Sequence, residues 1–265
     1  MQIRIPDYTP EVQLLYILRA ENFGVRIGDR WILKDIEFRL KRSQIYVLFG
    51  PNGSGKTTII SAIAGLPGFD VEGKIFFDDK DITDLDIDER AKLGISVAFQ
   101  YPPEITGVKL DAILKRCLGK DPEDDFSEKE MELIEILKLT EFLNRDINVG
   151  FSGGERKRAE MLQMFFMKSK LLLLDEPDSG VDVDTLRLMG EQLQKYIDDN
   201  GATALIVTHQ GGILEYMDPK YACVLFDSSL QCFADPNRIA KELKECGYQS
   251  CVQCNRKVTR PWNDQ

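Results

Sequence analysis

The sequence predicts an α/β domain with an antiparallel hairpin at its front and a helical lobe inserted into its core. Three observations predict it. The apolar run Ile45–Phe49 opens directly into the glycine-rich stretch GPNGSGKT, Gly50–Thr57, and then into a segment of helical character. From about residue 101 to 158 the pattern turns helical throughout. Short apolar runs of strand length then resume at 171–175, 203–207 and 221–226. Strands, then a helical block, then strands again describe one core with an insertion.

The first 13 residues read as an N-terminal extension. Segments 16–27 and 32–40 alternate apolar and polar residues around Gly28-Asp29, the signature of a hairpin. Ile45–Phe49 has no polar residue facing solvent, so it is a strand buried on both faces. Residues 50–55 form a glycine-rich turn and Thr57–Ala64 a helix; further strands are expected at 74–78 and 95–99. Tyr101-Pro102-Pro103 leads into the lobe, where Val108–Leu118, Ser127–Leu139 and Glu155–Met167 carry helical periodicity. Ser127 with Glu130 forms a capping-box pattern. A helix at 184–199 separates the strands at 171–175 and 203–207. The domain then spans 14–250, with its core at 14–99 and 159–250, its lobe at 100–158, and a tail at 251–265.

Composition narrows the function. The chain has 265 residues, 43% hydrophobic and 29% charged, enough for a sizeable core. No run reaches the 18 or so apolar residues of a membrane span, and Met1–Gln13 lacks the basic and apolar regions of a secretory signal. A cytoplasmic protein that does not insert in the membrane is expected. A net charge of −10 argues against nucleic acid as partner, because neutralising phosphates requires a basic face.

The chemistry sits in four places. Gly50, Pro51, Asn52, Gly53, Ser54, Gly55, Lys56 and Thr57 match G-x-x-x-x-G-K-[ST] between a strand and a helix, with Thr58 following. Glycines let backbone N–H groups wrap phosphates, the helix N-terminus adds positive potential, Lys56 supplies a charge, and Thr57 offers a hydroxyl to magnesium. The strand LLLLDE, Leu171–Glu176, ends in two carboxylates. Asp175 suits a magnesium contact and Glu176 suits a group that polarises an attacking water. In FSGGERKR, Phe151–Arg158, the residues Ser152, Gly153 and Gly154 open a helix as a second anion-facing N-terminus. His209, the only histidine, follows the apolar run ALIV, so it emerges at the carboxyl end of a strand, where open α/β sheets bind ligands.

Together these stretches resemble the ABC ATPase family, over roughly residues 16–250. FSGGE is similar to the family's signature, Gln100 after GISVAFQ to its Q-loop, Asp178–Asp182 (DSGVD) to its D-loop, and His209 to its switch histidine. The resemblance implies an ABC-type nucleotide-binding domain with a RecA-like P-loop core, and Mg-ATP as substrate. Lys56 and His209 would hold the γ-phosphate and Glu176 would polarise water. Magnesium would sit on Thr57, Gln100 and, through water, Asp175. Each ATP would lie between the P-loop of one chain and Ser152–Gly154 of a second copy, joined head to tail. One departure concerns the base. Many members stack an aromatic residue of the first hairpin on adenine, where VRIGDR offers Ile27, with Phe23 and Trp31 nearby. KRSQI before the P-loop strand also lacks the usual Gly-Glu.

Within the family, AFQYPPEITGV, NVGFSGGERKR, DEPDSGVDVD, VTHQGGILEYMDP and LKECGY resemble the SufC-type ATPases of SUF iron–sulfur cluster assembly. That resemblance implies a motor whose closing motion acts on a SufB/SufD-like scaffold, docked on about 100–116 and the facing lobe. Pro177, where many such chains have Ser or Thr, departs towards the general ABC pattern. The alternative is the ATP-binding subunit of a membrane ABC transporter. Arg156, Lys157 and Arg158 begin the helix after the signature; either they form a solvated helix face, or one of them, Lys157 first, holds Glu176 away from water by opposite charge.

Cys246, Cys251 and Cys254 have the spacing C-x4-C-x2-C. Three readings fit: reduced thiols without a ligand, an iron–sulfur site completed from elsewhere, or zinc or a redox disulfide.

Overall fold

The computed structural model of the protein describes residues 15–253. Strands β1 (Tyr16–Ile27), β2 (Arg30–Lys41), β4 (Asp70–Phe77) and β5 (Lys80–Asp81) form an antiparallel sheet in the order β2-β1-β4-β5. A second sheet combines β3 (Ile45–Phe49), β6 (Ile95–Ala98), β7 (Leu171–Asp175), β8 (Thr203–Thr208), β9 (Tyr221–Phe226) and β10 (Ser229–Ala234). Its order is β10-β9-β3-β8-β7-β6, parallel from β9 to β6 with β10 antiparallel at the edge.

The apolar runs follow from two cores on opposite faces of this second sheet. Ile45, Val47 and Phe49 of β3, Leu172 and Leu174 of β7, and Ala204 and Ile206 of β8 face one core. Tyr46 and Leu48, Leu171 and Leu173, and Leu205 and Val207 face the other. With both faces buried, every residue of these strands is apolar or nearly so, as parallel strands require. The second core also holds helix α1 (Lys56–Ala64) and the inner face of the antiparallel sheet, including Phe23, Leu33 and Ile75.

The first core continues into the helical lobe. It takes in Leu110 and Leu114 of α3 (Leu110–Cys117), Ile134 of α4 (Glu128–Ile136), and Met161, Leu162, Phe165 and Phe166 of α5 (Gly153–Phe166). The expected lobe boundary at 158 therefore falls inside α5, which belongs to both parts. Ser127 caps α4 as its pattern predicts: its hydroxyl accepts from Glu130 N–H while Glu130 accepts from Ser127 N–H.

The structure adds elements that periodicity did not reveal. Helix α2 (Ile87–Leu93) has only 7 residues, too few to show a period, although Asp86 and Glu89 form its capping box. Strand β4 starts at Asp70 rather than 74 because it pairs with β1 as far as Arg26. After α6 (Val183–Asn200), β8 and β9, the chain adds β10 and helix α7 (Pro236–Gln253), which bends at Gly247.

One buried cation anchors the phosphate-loop helix. Arg90 of α2 donates from Nη1 to the Ala62 and Ile63 carbonyls at 2.8 Å each, at the C-terminal end of α1. Its other nitrogens bond the Leu85 and Thr83 carbonyls at 2.8 Å. A cation there satisfies the orphan carbonyls and the negative end of the helix dipole.

Candidate functional site

Four adjacent parallel strands deliver the site residues to one edge. Phe49 pairs with Thr208, Asp175 with Val207, and Ala98 with Leu174. The residues that follow, Gly50, His209, Glu176 and Gln100, therefore emerge together beyond the carboxyl ends of β3, β8, β7 and β6.

Gly50–Gly55 turns from β3 into α1. Gly53 and Gly55 have φ of 78° and 102°, which side-chain-bearing residues rarely adopt. A Cβ on Gly50 would come within 2.7 Å of the Leu225 carbonyl oxygen, so the backbone passes there only as glycine. Asn52, Gly53 and Thr57 are exposed, while Pro51, Ser54, Gly55 and Thr58 are half-buried. Lys56 is buried, and its ammonium donates to the Gly50 and Pro51 carbonyls at 2.8 and 3.1 Å, inside the loop.

Glu176 lies at the centre. Its Oε2 accepts from Gln100 Nε2 at 2.8 Å. Its Oε1 lies 3.0 Å from His209 Nδ1 and 3.8 Å from Lys56 Nζ. Gln210 Nε2 lies 3.2 Å from His209 Nε2; an amide N–H donates, so the imidazole proton belongs on Nδ1, facing Glu176. Glu176 holds φ of 47°, a strained value for a glutamate, fixed by its N–H to the Val207 carbonyl at 2.8 Å.

Lys157 does not hold Glu176. Its ammonium donates to the Phe99 carbonyl at 2.6 Å and weakly to that of Asp175 at 3.4 Å. The outward carbonyls at the ends of β6 and β7 reach it before the glutamate does, so the expected Lys157–Glu176 contact is replaced by Gln100, His209 and Lys56.

Sequence reasoning also missed Asp178 and Thr208 as organisers of the His209 loop. The Thr208 hydroxyl donates to the buried Asp178 carboxylate and accepts from the Gln210 and Gly211 N–H groups at 3.0 Å each. Asp178 Oδ2 also accepts from Gly212 N–H at 2.8 Å. The carboxylate inside the D-loop sequence was the available signal.

The buried charges of the site act on one another. Burial pushes Lys56 below the usual lysine range, against the pull of Glu176 and Asp175. Burial pushes Asp175 up; the Thr57 hydroxyl bonded to it works the other way, while Glu176 adds to the rise. Asp175 Oδ1 is buried with no hydrogen-bond partner in the protein. The orphaned carboxylate oxygen of Asp175 and the Thr57 hydroxyl bonded to that carboxylate are hard oxygen donors that fit magnesium, with the Gln100 amide oxygen available from the neighbouring strand end.

Ser152–Gly154 is not gathered with these groups. Ser152 caps α5 locally, bonding Glu155 through its N–H and its hydroxyl. Ser152 and Gly153 are exposed, and Gly153 packs against the Gly180 carbonyl of the D-loop. On the hairpin, Phe23 is fully buried and the Trp31 ring is taken by Arg26 at 5.7 Å and by Gly24. Ile27, two residues beyond Val25 on β1, is 46% exposed. Opposite Val25, Leu33 packs on Gly55 of the loop. Of the three hairpin candidates only Ile27 is free to touch a base. Ile27→Tyr is therefore expected to tighten ATP binding about 3- to 10-fold, the worth of one aromatic stack. Competition against a fluorescent ATP analogue measures it, and unchanged affinity would place the base elsewhere.

Among the described residues no group of three or more His, Cys, Asp or Glu is placed to hold a metal on its own. Cys246 is exposed on α7, Cys251 lies on the same helix beyond its bend, and Cys254 lies outside the described residues.

A parallel sheet with a phosphate loop after one strand and an acidic pair after another defines a P-loop nucleotide hydrolase. The comparisons with known proteins are narrower. The profile of the family described as ABC transporter matches residues 33–179. A probable ATP-dependent transporter, ycf16, of Trieres chinensis is 37% identical over 88% of this chain and 96% of its own. A probable ABC transporter ATP-binding protein of Streptococcus pyogenes is 36% identical over 89% and 95%. A nucleotide-free ATP-binding cassette from an ABC transporter superimposes with a TM-score of 0.72 at 25% identity, over 89% of this chain and 98% of that one. The chain belongs to the ABC transporter family and is one of its ATP-hydrolysing cassettes.

Proposed function

We propose that this ATPase is the motor of a SUF-type iron–sulfur cluster assembly machine, acting on a separate SufB/SufD-like scaffold. The observation that carries a motor role is the path from site to surface. Gln100 bonds Glu176, and the next residues, Tyr101–Ile105, run straight to the rim of a groove of about 270 Å³. Pro102, Pro103 and Ile105 line it from this loop, with Met164 of α5 and Met167 just beyond that helix. Phe99, Tyr101, Ile105 and Met167 expose apolar surface around it, Tyr101 to 81%. The scaffold would dock here. The groove draws on α2, 99–105 and α5; α3, within the expected span 100–116, contributes Leu110 and Leu114 to the core instead. Five separated segments of SufC-like sequence support the scaffold's identity.

In this reading ATP enters with its phosphates in Gly50–Thr57. Lys56 turns from the loop carbonyls to the β- and γ-phosphates. Glu176, released from Gln100 and His209, takes a water's proton as that water attacks the γ-phosphorus; the bond to the β,γ-bridging oxygen breaks, and ADP and phosphate leave. His209 then faces the γ-phosphate, and Ser152–Gly154 of a second copy closes over it. Thr57, Gln100 and Asp175 would hold magnesium, which neutralises phosphate charge when bound. Related cassettes have been captured as dimers, one of them bound to ADP and phosphate at 23% identity to this chain.

The names of the relatives favour a second reading, the ATP-binding subunit of a membrane transporter, with a transmembrane partner in the same groove. Among the described residues no helix is long and apolar enough to cross a membrane. Anaerobic capture of the tagged protein from its own cells separates the two. A co-purifying chain without membrane spans, carrying iron and acid-labile sulfide, is the expected result. A partner with several apolar spans overturns the assembly reading and leaves the ATPase intact.

A further inference from the structure

The docking groove is mostly apolar, but three buried polar atoms in its walls have no partner in the protein. They are Ser96 Oγ on β6, Asn148 Oδ1 before the signature, and Glu160 Oε2 on α5. Their residues are 6%, 3% and 8% exposed. Each is held in place by another bond or by its strand. Glu160 Oε1 accepts from Phe99 N–H at 3.0 Å, and Asn148 Nδ2 donates to the Pro103 carbonyl at 2.8 Å. Ser96 sits in the β6–β7 ladder opposite Leu172.

An unpaired buried polar group is costly, and native proteins rarely leave several in one place. Asn148 Oδ1 only accepts, Glu160 Oε2 accepts when its carboxyl is ionised, and the Ser96 hydroxyl can do either. An anion entering the groove meets the Asn148 oxygen and a carboxyl whose ionisation it opposes. An apolar side chain would leave all three unpaired. A cation with several N–H donors satisfies them. Burial holds the Glu160 carboxyl up at about 7; the Phe99 N–H and, less, Lys157 on the preceding turn pull it down only in part. A cation brought beside it favours the charged form and gains a charge-assisted bond.

We propose that the partner's docking segment inserts a cationic side chain, an arginine or lysine flanked by apolar residues, into this groove, where Glu160, Asn148 and Ser96 receive its head. The methionine and proline collar takes the apolar flanks, and the stem of a long basic side chain suits such a channel. The proposal rests on the docking reading of the groove and adds the chemistry that selects the partner. Because Glu160 bonds the N–H of Phe99, next to Gln100, the same carboxylate reports on the segment that reaches Glu176.

Three acetylated, amidated amphipathic peptides test it on the full chain by calorimetry at neutral pH. They share one Leu/Met-rich face and differ only at the central residue, which is arginine, norleucine or glutamate. The arginine peptide is expected to bind at least about tenfold more tightly than the norleucine peptide, from one charge-assisted bond. Glu160→Gln should erase that gap while leaving the norleucine affinity unchanged. Should Glu160→Gln lower the melting temperature sharply, Ser96→Ala carries the test, with the gap narrowed about threefold for one neutral hydrogen bond. Equal binding of arginine and norleucine peptides overturns the cationic contact and keeps the groove as a docking site. Preference for the glutamate peptide overturns it too. Failure of all three peptides to bind overturns the docking reading together with the inference.

Discussion

Replacing Glu176 with Gln is expected to lower ATP turnover by at least about 100-fold, the worth of a positioned general base, without weakening ATP binding. The carboxylate is 6% exposed and held on a strained backbone by the β7–β8 ladder. The amide keeps the size; its oxygen can accept from His209 Nδ1–H and its NH2 can donate to Gln100 once that amide turns its oxygen inward, so the loop stays in place. What is lost is the negative charge that orients and deprotonates water. The nucleotide-binding groups, Gly50–Thr57, are untouched. Phosphate release in single turnover measures the chemical step, and a fluorescent ATP analogue measures binding. With hydrolysis blocked, ATP should also accumulate a dimer, read by light scattering. A turnover within threefold of the unsubstituted protein would remove Glu176 from the chemistry. The companion expectation is that Lys157→Ala does not raise basal turnover by releasing Glu176, because its ammonium is bonded to the carbonyls of Phe99 and Asp175.

The strands that carry the site were legible because their burial is written in composition. β3 and β7 have their bounds where the apolar runs begin and end, since both faces meet a core. The phosphate loop was legible because its glycines are required by geometry that no other residue meets, at Gly50 by the Leu225 carbonyl and at Gly53 and Gly55 by positive φ. Contacts between strands were not legible. Lys157 lies one turn into α5, a position from which either the glutamate or the strand-end carbonyls are within reach, and only the placement of β6 beside β7 decides between them. Asp178 and Thr208 bind each other across 30 residues of sequence, and neither spacing nor periodicity brings them together. The groove escaped for the same reason. Ser96, Asn148 and Glu160 belong to a strand, a loop and a helix, and each is unremarkable until the fold places them in one wall.

A mixture of two inactive variants should regain ATPase activity. Lys56→Ala removes the phosphate-loop charge, and Ser152→Arg blocks the signature with a long cation. Each alone is expected to lose nearly all turnover, because every site in a homodimer lacks the same half. In a head-to-tail pair of one Lys56→Ala chain with one Ser152→Arg chain, one site carries both defects and the other carries none. An equal mixture forms hybrid pairs as half of its dimers, each with one good site, so independent sites would return roughly a quarter of the original rate. The structure supplies the reason to expect pairing. Within one chain, Ser152 bonds only its own helix, and Ser152 and Gly153 stay exposed, Gly153 against the Gly180 carbonyl. Ser152→Arg forfeits an N-cap worth about 1 kcal/mol, which melting temperatures will register without unfolding the domain. The result separates two architectures that no single substitution can. If the signature acted on its own chain's phosphate loop, every molecule in the mixture would remain defective, and activity would stay at the level of the variants measured apart.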